Sequence, residues 1–408
     1  MQAKTPSAMR RALGRPGFRR LFAAQTISRW GDTFNAVALV IVVFQLTGSG
    51  IRVAATVVLE IVPVLSFGFV AGALVDRLPR RHVMVAADVG RAGLAGLLAV
   101  GHAHLWALYA GAFGLSALTV FFNPAAASIV PTLVPEDELV GANSGLWSAA
   151  VVSQIVLAPV AGAVVSWVGP AIAFGVNAAS FLASAAILSG LAISAPAAPV
   201  GGDRWALARE GVRVIAGRRL LRALAGVQAL AALSAGATSA LLVVLAERHL
   251  GVRAGGFGLL LAAIGVGAGL GPIVLQRLVA DVRHPVLLFG PYVLRGAVDL
   301  VLAASSSFPV AFGALAAYGV GTSTGMVTYN TVLQATTPDR VRGRVFACYD
   351  IVWQASRLVS IGVGGVLADH LGIRAVYLLG GGLLVAAGGV GFARVPRPAM
   401  TEPVEGPS

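Results

Sequence analysis

Long apolar runs follow one another along the chain, and short polar turns such as "TGSGIR", "DRLPRRH" and "VPEDE" separate them. A run of about 18 or more apolar residues is long enough to cross about 30 Å of hydrocarbon as a helix. The pattern therefore predicts an all-α polytopic membrane protein. Its twelve predicted transmembrane helices lie at 19–46, 52–74, 82–103, 106–130, 139–167, 170–193, 221–246, 254–278, 285–304, 308–335, 344–368 and 372–393.

The composition agrees with this reading. The 408 residues are 57% hydrophobic and 12% charged, and the mean hydropathy is +0.84, whereas a soluble domain carries about 25% charged residues. The basic N-terminus followed by an apolar run resembles a signal peptide. That run is too long and contains Arg29 and Asp32, so we expect it to remain as the first transmembrane helix.

The positive charges predict the orientation of the chain. Most of the 30 lysines and arginines fall in the termini and in the loops on the same side as the termini. The opposite loops contain Arg52, Arg248, Arg253 and Arg374. Because positive loops stay in the cytoplasm, we expect a cell-membrane protein with both termini cytoplasmic. The net charge of +13 is then an orientation signal, and it gives no reason to expect nucleic acid as a partner.

The two halves of the sequence match at a constant offset of 203 residues. This offset relates Gly48 to Gly251, Gly68 to Gly271, Arg80 to Arg283, Pro135 to Pro338, Gly162 to Gly365 and Gly169 to Gly372. Internal repeats with the substrate path between them are a common transporter plan. We expect two six-helix halves at 1–194 and 221–396, a cytoplasmic linker at 195–220 and a disordered tail at 397–408.

Within the linker, one helical face would hold Trp205, Ala208, Val212 and Ile215, with arginines around the rest. Such a helix could lie on the inner membrane surface. An ordinary solvated linker helix explains the same residues equally well.

The loop after the second predicted helix, "GALVDRLPRRH", resembles the loop signature of the major facilitator superfamily. Its glycine allows two helices to approach closely, and its charges can form a network on the cytoplasmic side. In that superfamily the network holds the two halves together in the outward-open state. The resemblance assigns this gating role to Gly72, Asp76, Arg77, Arg80 and Arg81.

Four further segments narrow the resemblance: "ISRWGD", "DRLPRRHVMVAADVGRA", "NPAAASIVPTLVPEDELVGANS" and "PDRVRGRVFA". They are similar to the macrolide-efflux and enterobactin-exporter-like branch of drug:proton antiporters. Two features depart from that pattern. The fourth predicted helix has no charge, and the glycine–proline motif of the fifth is reduced to "APVAG".

Ionisable residues inside the spans mark the candidate machinery, because each costs about 2.5–3.5 kcal/mol on insertion scales. We hypothesise that Asp32 and Glu60 carry protons and that Arg29 and Arg91 tune them, with Asp88 as a further acidic candidate. The spacing puts Arg29 and Asp32 on one helical face, and likewise Asp88 and Arg91. Both pairs could instead be structural bridges, and Glu60 could bond a neighbouring helix.

Polar residues in several spans would suit a central path, or equally helix–helix hydrogen bonds. The candidates for the central path are Gln25, Asn35, Gln154, Asn177, Arg295, Asp299, Asn330 and Arg357.

These observations predict a secondary active transporter that exports amphipathic small molecules, of drug, macrolide or siderophore type, in exchange for protons. An importer, or a dedicated metabolite or lysophospholipid transporter, would use the same fold. We expect no enzyme, because the sequence has no nucleophile elbow, P-loop or metal-ligand spacing. No cofactor is expected, and the expected partners are a small-molecule substrate, protons and the lipid bilayer, with the protein as a monomer.

Overall fold

The computed structural model describes residues 8–75, 77–191, 204–278, 284–337 and 339–394. This part of the chain is helical and contains no strand. Twelve of its helices are long and apolar enough to cross a membrane. The helices are α1 (Ala8–Leu13), α2 (Pro16–Thr47), α3 (Gly50–Val75), α4 (Arg80–Gly101), α5 (Leu105–Leu133), α6 (Glu136–Trp167), α7 (Pro170–Ser189), α8 (Arg204–Gly217), α9 (Arg219–Ala240), α10 (Leu242–Val244), α11 (Ala254–Leu278), α12 (Pro285–Ala304), α13 (Phe308–Thr336), α14 (Asp339–His370) and α15 (Ile373–Arg394).

The predicted fold class and the twelve spans are confirmed, and several helix ends differ from the prediction by two to six residues. The sixth spanning helix, α7, ends at Ser189 instead of residue 193, and Gly190 follows it as the cap. The seventh, α9, ends at Ala240. After it the chain continues through α10 and one π-helical turn, Leu245–His249. The apolar run therefore predicted the presence of a helix but not its regularity.

Four glycines give structural support to the internal repeat. Gly48 and Gly251 have φ angles of 60° and 65°, and Gly169 and Gly372 have φ angles of 104° and 84°. They are the positive-φ residues of the described chain, and both pairs are related by the offset of 203. Glycine adopts this conformation without the steric cost of a Cβ atom. The repeat therefore preserves the turns that end equivalent helices.

The chain divides into two compact units, and the same helix pairs pack within each. Unit 1 contains residues 1–48, 56–200 and 254–259, and unit 2 contains 49–55, 201–253 and 260–408. In unit 1, α2 packs on α6 and α7, and α4 packs on α5 and α7. In unit 2, α9 packs on α14 and α15, and α12 packs on α13 and α15. The described parts of the predicted halves thus share one packing scheme, and the predicted domain boundaries themselves stay a prediction.

The linker helix α8 packs against α14 in unit 2. Gly211 lies so close that an added Cβ would be 2.9 Å from the carbonyl oxygen of Arg344 and from Sγ of Cys348. Glu210 forms an ion pair with Arg344. Val212, predicted on the apolar face, is exposed, whereas Ile215 packs against the unit 2 core.

The face of α8 that contacts the protein is therefore centred on Gly211, one residue away from the predicted stripe. The side chains of Trp205 and Ala208, the linker residues 195–203 and the tail 397–408 lie outside the described part of the chain.

Candidate substrate cavity and buried charges

Unit 2 contains a cavity of about 370 Å³ between its helices. It lies on a hydrophobic cluster to which Tyr292, Tyr329 and Tyr349 belong. Small-molecule sites typically have volumes of about 300–1,000 Å³ with apolar walls and a few polar groups, and this cavity matches that description. Besides the three tyrosines, the polar, charged and aromatic residues that line the cavity include Gln228, Arg295, Asn330, Phe346, Asp350 and Trp353.

Arg295, a predicted central-path residue, lies in the middle of α12 and lines this cavity. The side chain is buried, with 8% of the residue exposed. Its guanidinium donates a hydrogen bond of 2.8 Å to the hydroxyl of Tyr318 and lies 4.7 Å from the centre of that ring. No ion pair joins it to Asp299, its neighbour four residues on in α12. Asp299 is fully buried and does not line the cavity.

In unit 1, Asp88 and Arg91 of α4 form a buried ion pair. Ser184 of α7 donates a 2.6 Å hydrogen bond to the second oxygen of Asp88. The guanidinium of Arg91 lies 4.3 Å from the ring centre of Phe122 and 4.4 Å from that of Phe181. The pair is therefore tied to two neighbouring helices, and its charges balance each other. This arrangement agrees with the structural alternative for the pair.

Asp32 lies beside a close crossing of α2 and α7. A Cβ added to Gly31 would be 2.0 Å from Oγ of Ser180 and 2.6 Å from Oδ1 of Asn177. The carboxyl of Asp32 is half-buried and has no hydrogen bond or ion pair within the described chain. Arg91 of α4 and Arg29 of α2 interact with this carboxyl electrostatically.

Arg29 and Asp32 do not form the ion pair that their spacing allows. Arg29 is exposed and lines a second cavity of about 220 Å³ together with Gln25 and Trp147. Of the charges near Asp32, Arg91 on α4 has the larger effect. Spacing along one helix could not reveal this cross-helix neighbour.

The other predicted residues are distributed between the two units. Glu60 is half-buried in α3, and its backbone carbonyl accepts a hydrogen bond from Ser116. Asn35 and Asn177 are buried, and each has amide atoms without a hydrogen-bond partner. Gln154 is exposed, Arg357 is half-buried in α14, and Asn330 lines the unit 2 cavity.

Two of the loop-signature arginines bond to helix ends of unit 1. Arg80 donates to the carbonyl of Ser128 at 3.2 Å, and Arg81 donates to that of Leu191 at 3.5 Å. Arg77 is exposed. Gly72 lies near the end of α3, and Asp76 lies outside the described residues. The described residues therefore show contacts of the arginines of this signature and none of its aspartate.

Sequence reasoning did not identify the tyrosines of the unit 2 cavity. Tyr292, Tyr329 and Tyr349 line the cavity, and the hydroxyl of Tyr318 accepts a hydrogen bond from Arg295. The sequence did contain a signal for this cluster of tyrosines, because all but one of the six tyrosines fall in the second half of the chain. Among the described residues, no group of histidine, cysteine and acidic side chains could hold a metal ion.

Comparison with known proteins decides the family. A family model described as "transmembrane secretion effector" matches residues 10–406, nearly the whole chain. The chain belongs to this family. It is a membrane transporter of the major facilitator type and not an enzyme, as the sequence resemblance predicted.

Relatives and solved structures agree with this assignment. The chain is 29% identical to an uncharacterised MFS-type transporter of Mycobacterium tuberculosis, over 95% of this chain and 93% of the relative. It is 26% identical to the multidrug efflux pump Tap of Mycolicibacterium fortuitum, over 88% of this chain and 90% of the pump. A crystal structure of a bacterial homologue of the iron transporter ferroportin, in its inward-facing state, matches with a TM-score of 0.76 at 16% identity. That match covers 94% of this chain and 98% of the other, and it shows the shared fold.

Proposed function

We propose that this transporter exports amphipathic small molecules in exchange for protons, by alternating access. The observation that supports this most directly is the unit 2 cavity, which combines aromatic walls with a few polar groups among membrane-spanning helices. Amphipathic solutes need both kinds of surface. Export is favoured over import by the relationship to the Tap efflux pumps at 26% and 27% identity.

The proposed proton carriers are Asp32 and Glu60. Both are half-buried carboxyls in membrane-spanning helices, where an ionisable group is costly unless it has a function or a partner. Asp32 has no hydrogen bond or ion pair in the described chain, and Arg91 and Arg29 act on its charge. Asp88 is a weaker candidate, because Arg91 and Ser184 already satisfy its oxygens.

The loop signature is proposed to control the cytoplasmic gate. Arg80 and Arg81 hold the helix ends of unit 1, and Asp76, Arg77 and Gly72 complete the motif by resemblance. We also propose two functional halves at 1–194 and 221–396, a cytoplasmic location for both termini and a monomeric state. A fluorescent protein fused to the C-terminus tests the orientation, since it would fluoresce only in the cytoplasm.

Transport is tested in cells that express the protein and are loaded with a panel of dyes, macrolides and siderophores. We expect expressing cells to accumulate less of at least one compound, and a protonophore to remove the difference. Asp32→Asn and Glu60→Gln should each lose most of this protonophore-sensitive export. The matched control is Glu136→Gln, which neutralises an exposed carboxyl in the first turn of α6.

Unchanged accumulation for every compound would contradict export. Uptake assays would then test an importer or a dedicated metabolite or lysophospholipid transporter. Full export by both carboxyl variants would leave export standing and exclude Asp32 and Glu60 as the proton carriers.

A further inference from the structure

The two units each have one buried arginine near the middle of their third spanning helix, and the two arginines differ in one respect. Arg91 in α4 is paired with Asp88, so its charge is balanced at contact distance. Arg295 in α12 has no ion pair in the described chain. It bonds only to the neutral hydroxyl of Tyr318, and its Nε has no hydrogen-bond partner. Asp299 acts on Arg295 electrostatically, but no carboxylate bonds to this guanidinium in the described chain, which leaves part of its capacity to donate hydrogen bonds unused.

We propose that the unit 2 cavity binds aromatic solutes with an anionic oxygen group, such as a carboxylate or phenolate, and that Arg295 holds this group. Arginine can only donate hydrogen bonds, and its planar group suits carboxylate geometry. Arg295 is one of the residues that line the cavity. This inference specifies the substrate class for the transport function proposed above and rests on it for its biological meaning.

A second unsatisfied group supports the same ligand. The hydroxyl of Tyr329 is buried and has no hydrogen-bond partner, although the residue lines the cavity. The hydroxyl of Tyr349, in contrast, donates to the carbonyl of Leu221. Two donors on cavity-lining residues, Nε of Arg295 and the hydroxyl of Tyr329, are thus buried without a hydrogen-bond partner in the described chain. An oxygen-rich anion would accept from either group.

The walls favour an aromatic solute over an aliphatic one. The rings of Tyr329 and Tyr349 meet edge to face with their centres 5.9 Å apart. Tyr292 and Trp353 line the same cavity. Aromatic rings prefer such edge-to-face or offset contacts and gain about 0.5–1.5 kcal/mol from each pair beyond the burial of area. A flat ring placed between these side chains would have aromatic contacts on more than one side.

The acidic residues near the cavity do not reverse this preference. Asp350 lines the cavity but is exposed, so water screens its charge. Asp299 does not line the cavity and forms no ion pair with Arg295. A buried charge acts through a lower dielectric than an exposed one and has the larger effect on a ligand. A cationic solute would meet Arg295 as a cavity-lining residue, whereas Asp299, which also interacts electrostatically with Arg295, does not line the cavity.

The test compares two xanthene dyes of similar shape and opposite charge. Fluorescein, an anion at pH 8, and rhodamine 123, a cation, are titrated with the purified full-length protein in nanodiscs, and binding is followed by fluorescence anisotropy. We expect fluorescein to bind at least about tenfold more tightly. Arg295→Gln should weaken fluorescein binding about tenfold, and Tyr329→Phe severalfold. The matched control, Arg209→Gln, removes an exposed arginine of α8 in the same unit and should bind as the parent does.

Two conservative variants guard against misfolding. Arg295→Lys keeps the charge and loses the planar group, and we expect it to retain part of the preference for fluorescein. Tyr329→Phe removes only an unbonded hydroxyl and should fold normally.

The proposal is overturned if rhodamine 123 binds as tightly as fluorescein, if neither dye binds saturably, or if binding is unchanged in both Arg295→Gln and Tyr329→Phe. No gradient is used, so a failure of proton-coupled export would leave this binding result unaffected.

Discussion

Ser166 and Asp369 stand 203 residues apart and have the same structural role. Each lies at the end of a long helix and accepts hydrogen bonds from backbone amides at the start of another. Ser166 accepts from Gly255 at 3.0 Å. Asp369 accepts from Gly50 at 2.7 Å, from Ile51 at 3.1 Å and from the hydroxyl of Ser49. The repeat has preserved the position of the cap, while one copy is a neutral hydroxyl and the other a carboxylate.

Removal of the carboxylate cap should cost more stability than removal of the hydroxyl cap. Asp369 satisfies two backbone amides and one hydroxyl and also forms an ion pair with Arg248 at 3.5 Å, whereas Ser166 satisfies one amide. Replacing a capping residue with alanine costs about 0.5–2 kcal/mol. We expect Asp369→Ala to lie near the upper end of this range and Ser166→Ala near the lower end.

A thiol-reactive fluorescent dye can measure both variants during heating, because Cys348 is the only cysteine and is buried. Asp369→Asn keeps one acceptor oxygen and should fall between the parent and Asp369→Ala. Equal unfolding midpoints for Asp369→Ala and the parent would show that the cap does not stabilise the fold.

The buried pair of Asp88 and Arg91 should behave as a unit. Removal of one partner leaves an unpaired charge in the interior, which typically costs about 3–5 kcal/mol. We therefore expect Arg91→Met alone, and Asp88→Asn alone, to lower the unfolding midpoint strongly. The double variant should recover much of the loss, because it leaves neither charge behind.

Thermal unfolding is measured for the parent, the two single variants and the double variant by labelling of Cys348. The difference between the loss in the double variant and the sum of the single losses gives the coupling free energy between the two residues. Additive losses in the double variant would show that the two charges do not depend on each other. Arg29→Gln, at an exposed arginine of α2, should have little effect on stability.

A side chain at position 211 should release the linker helix. The added Cβ of Gly211→Val would lie 2.9 Å from the Arg344 carbonyl, which belongs to a helical backbone and cannot easily move. We expect α8 to separate from α14 and Cys348 to become accessible, so that maleimide labels it many times faster at a temperature well below unfolding. Gly217→Val is the matched control, because nothing lies within 4 Å of its added Cβ. Equal labelling rates in the two variants would contradict this account of the packing.

Glu247 should make the stability of the protein depend on pH. It lies in the π-helical turn, outside the twelve spans, and burial raises the pKa of its carboxyl above the ordinary 4.5. The folded protein therefore holds this proton more tightly than the unfolded chain does. The contribution of Glu247 to the free energy of unfolding is most favourable below about pH 4.5, where the carboxyl is protonated. It falls as the pH rises through the raised pKa of the folded state.

Glu247→Gln should accordingly unfold at a higher temperature than the parent at pH 7, and the gap should close towards pH 4. Intrinsic tryptophan fluorescence can follow unfolding across this pH range. Glu136→Gln, at an exposed helix start, should show no gain at pH 7. A gap for Glu247→Gln that stays constant with pH would exclude burial of the charge as its cause.

The sequence alone determined the twelve spans, the internal repeat and the family. An uninterrupted apolar run can satisfy its backbone in lipid only as a helix, so length and hydropathy suffice to find it. The turn glycines at 48, 169, 251 and 372 were visible as pairs for a similar reason. Their conformation favours glycine at those positions, and the constant offset then related the two halves.

Which side chains act together became visible only once the helices were packed against one another. Spacing suggested that Arg29 faces Asp32, yet Arg91 of α4 also acts on Asp32. The predicted central-path residue Arg295 bonds to Tyr318 of another helix. Contacts between helices depend on how each helix is rotated about its axis and on where small residues such as Gly31 allow close approach. That rotation is set by packing against the other helices, and no single helix contains this information.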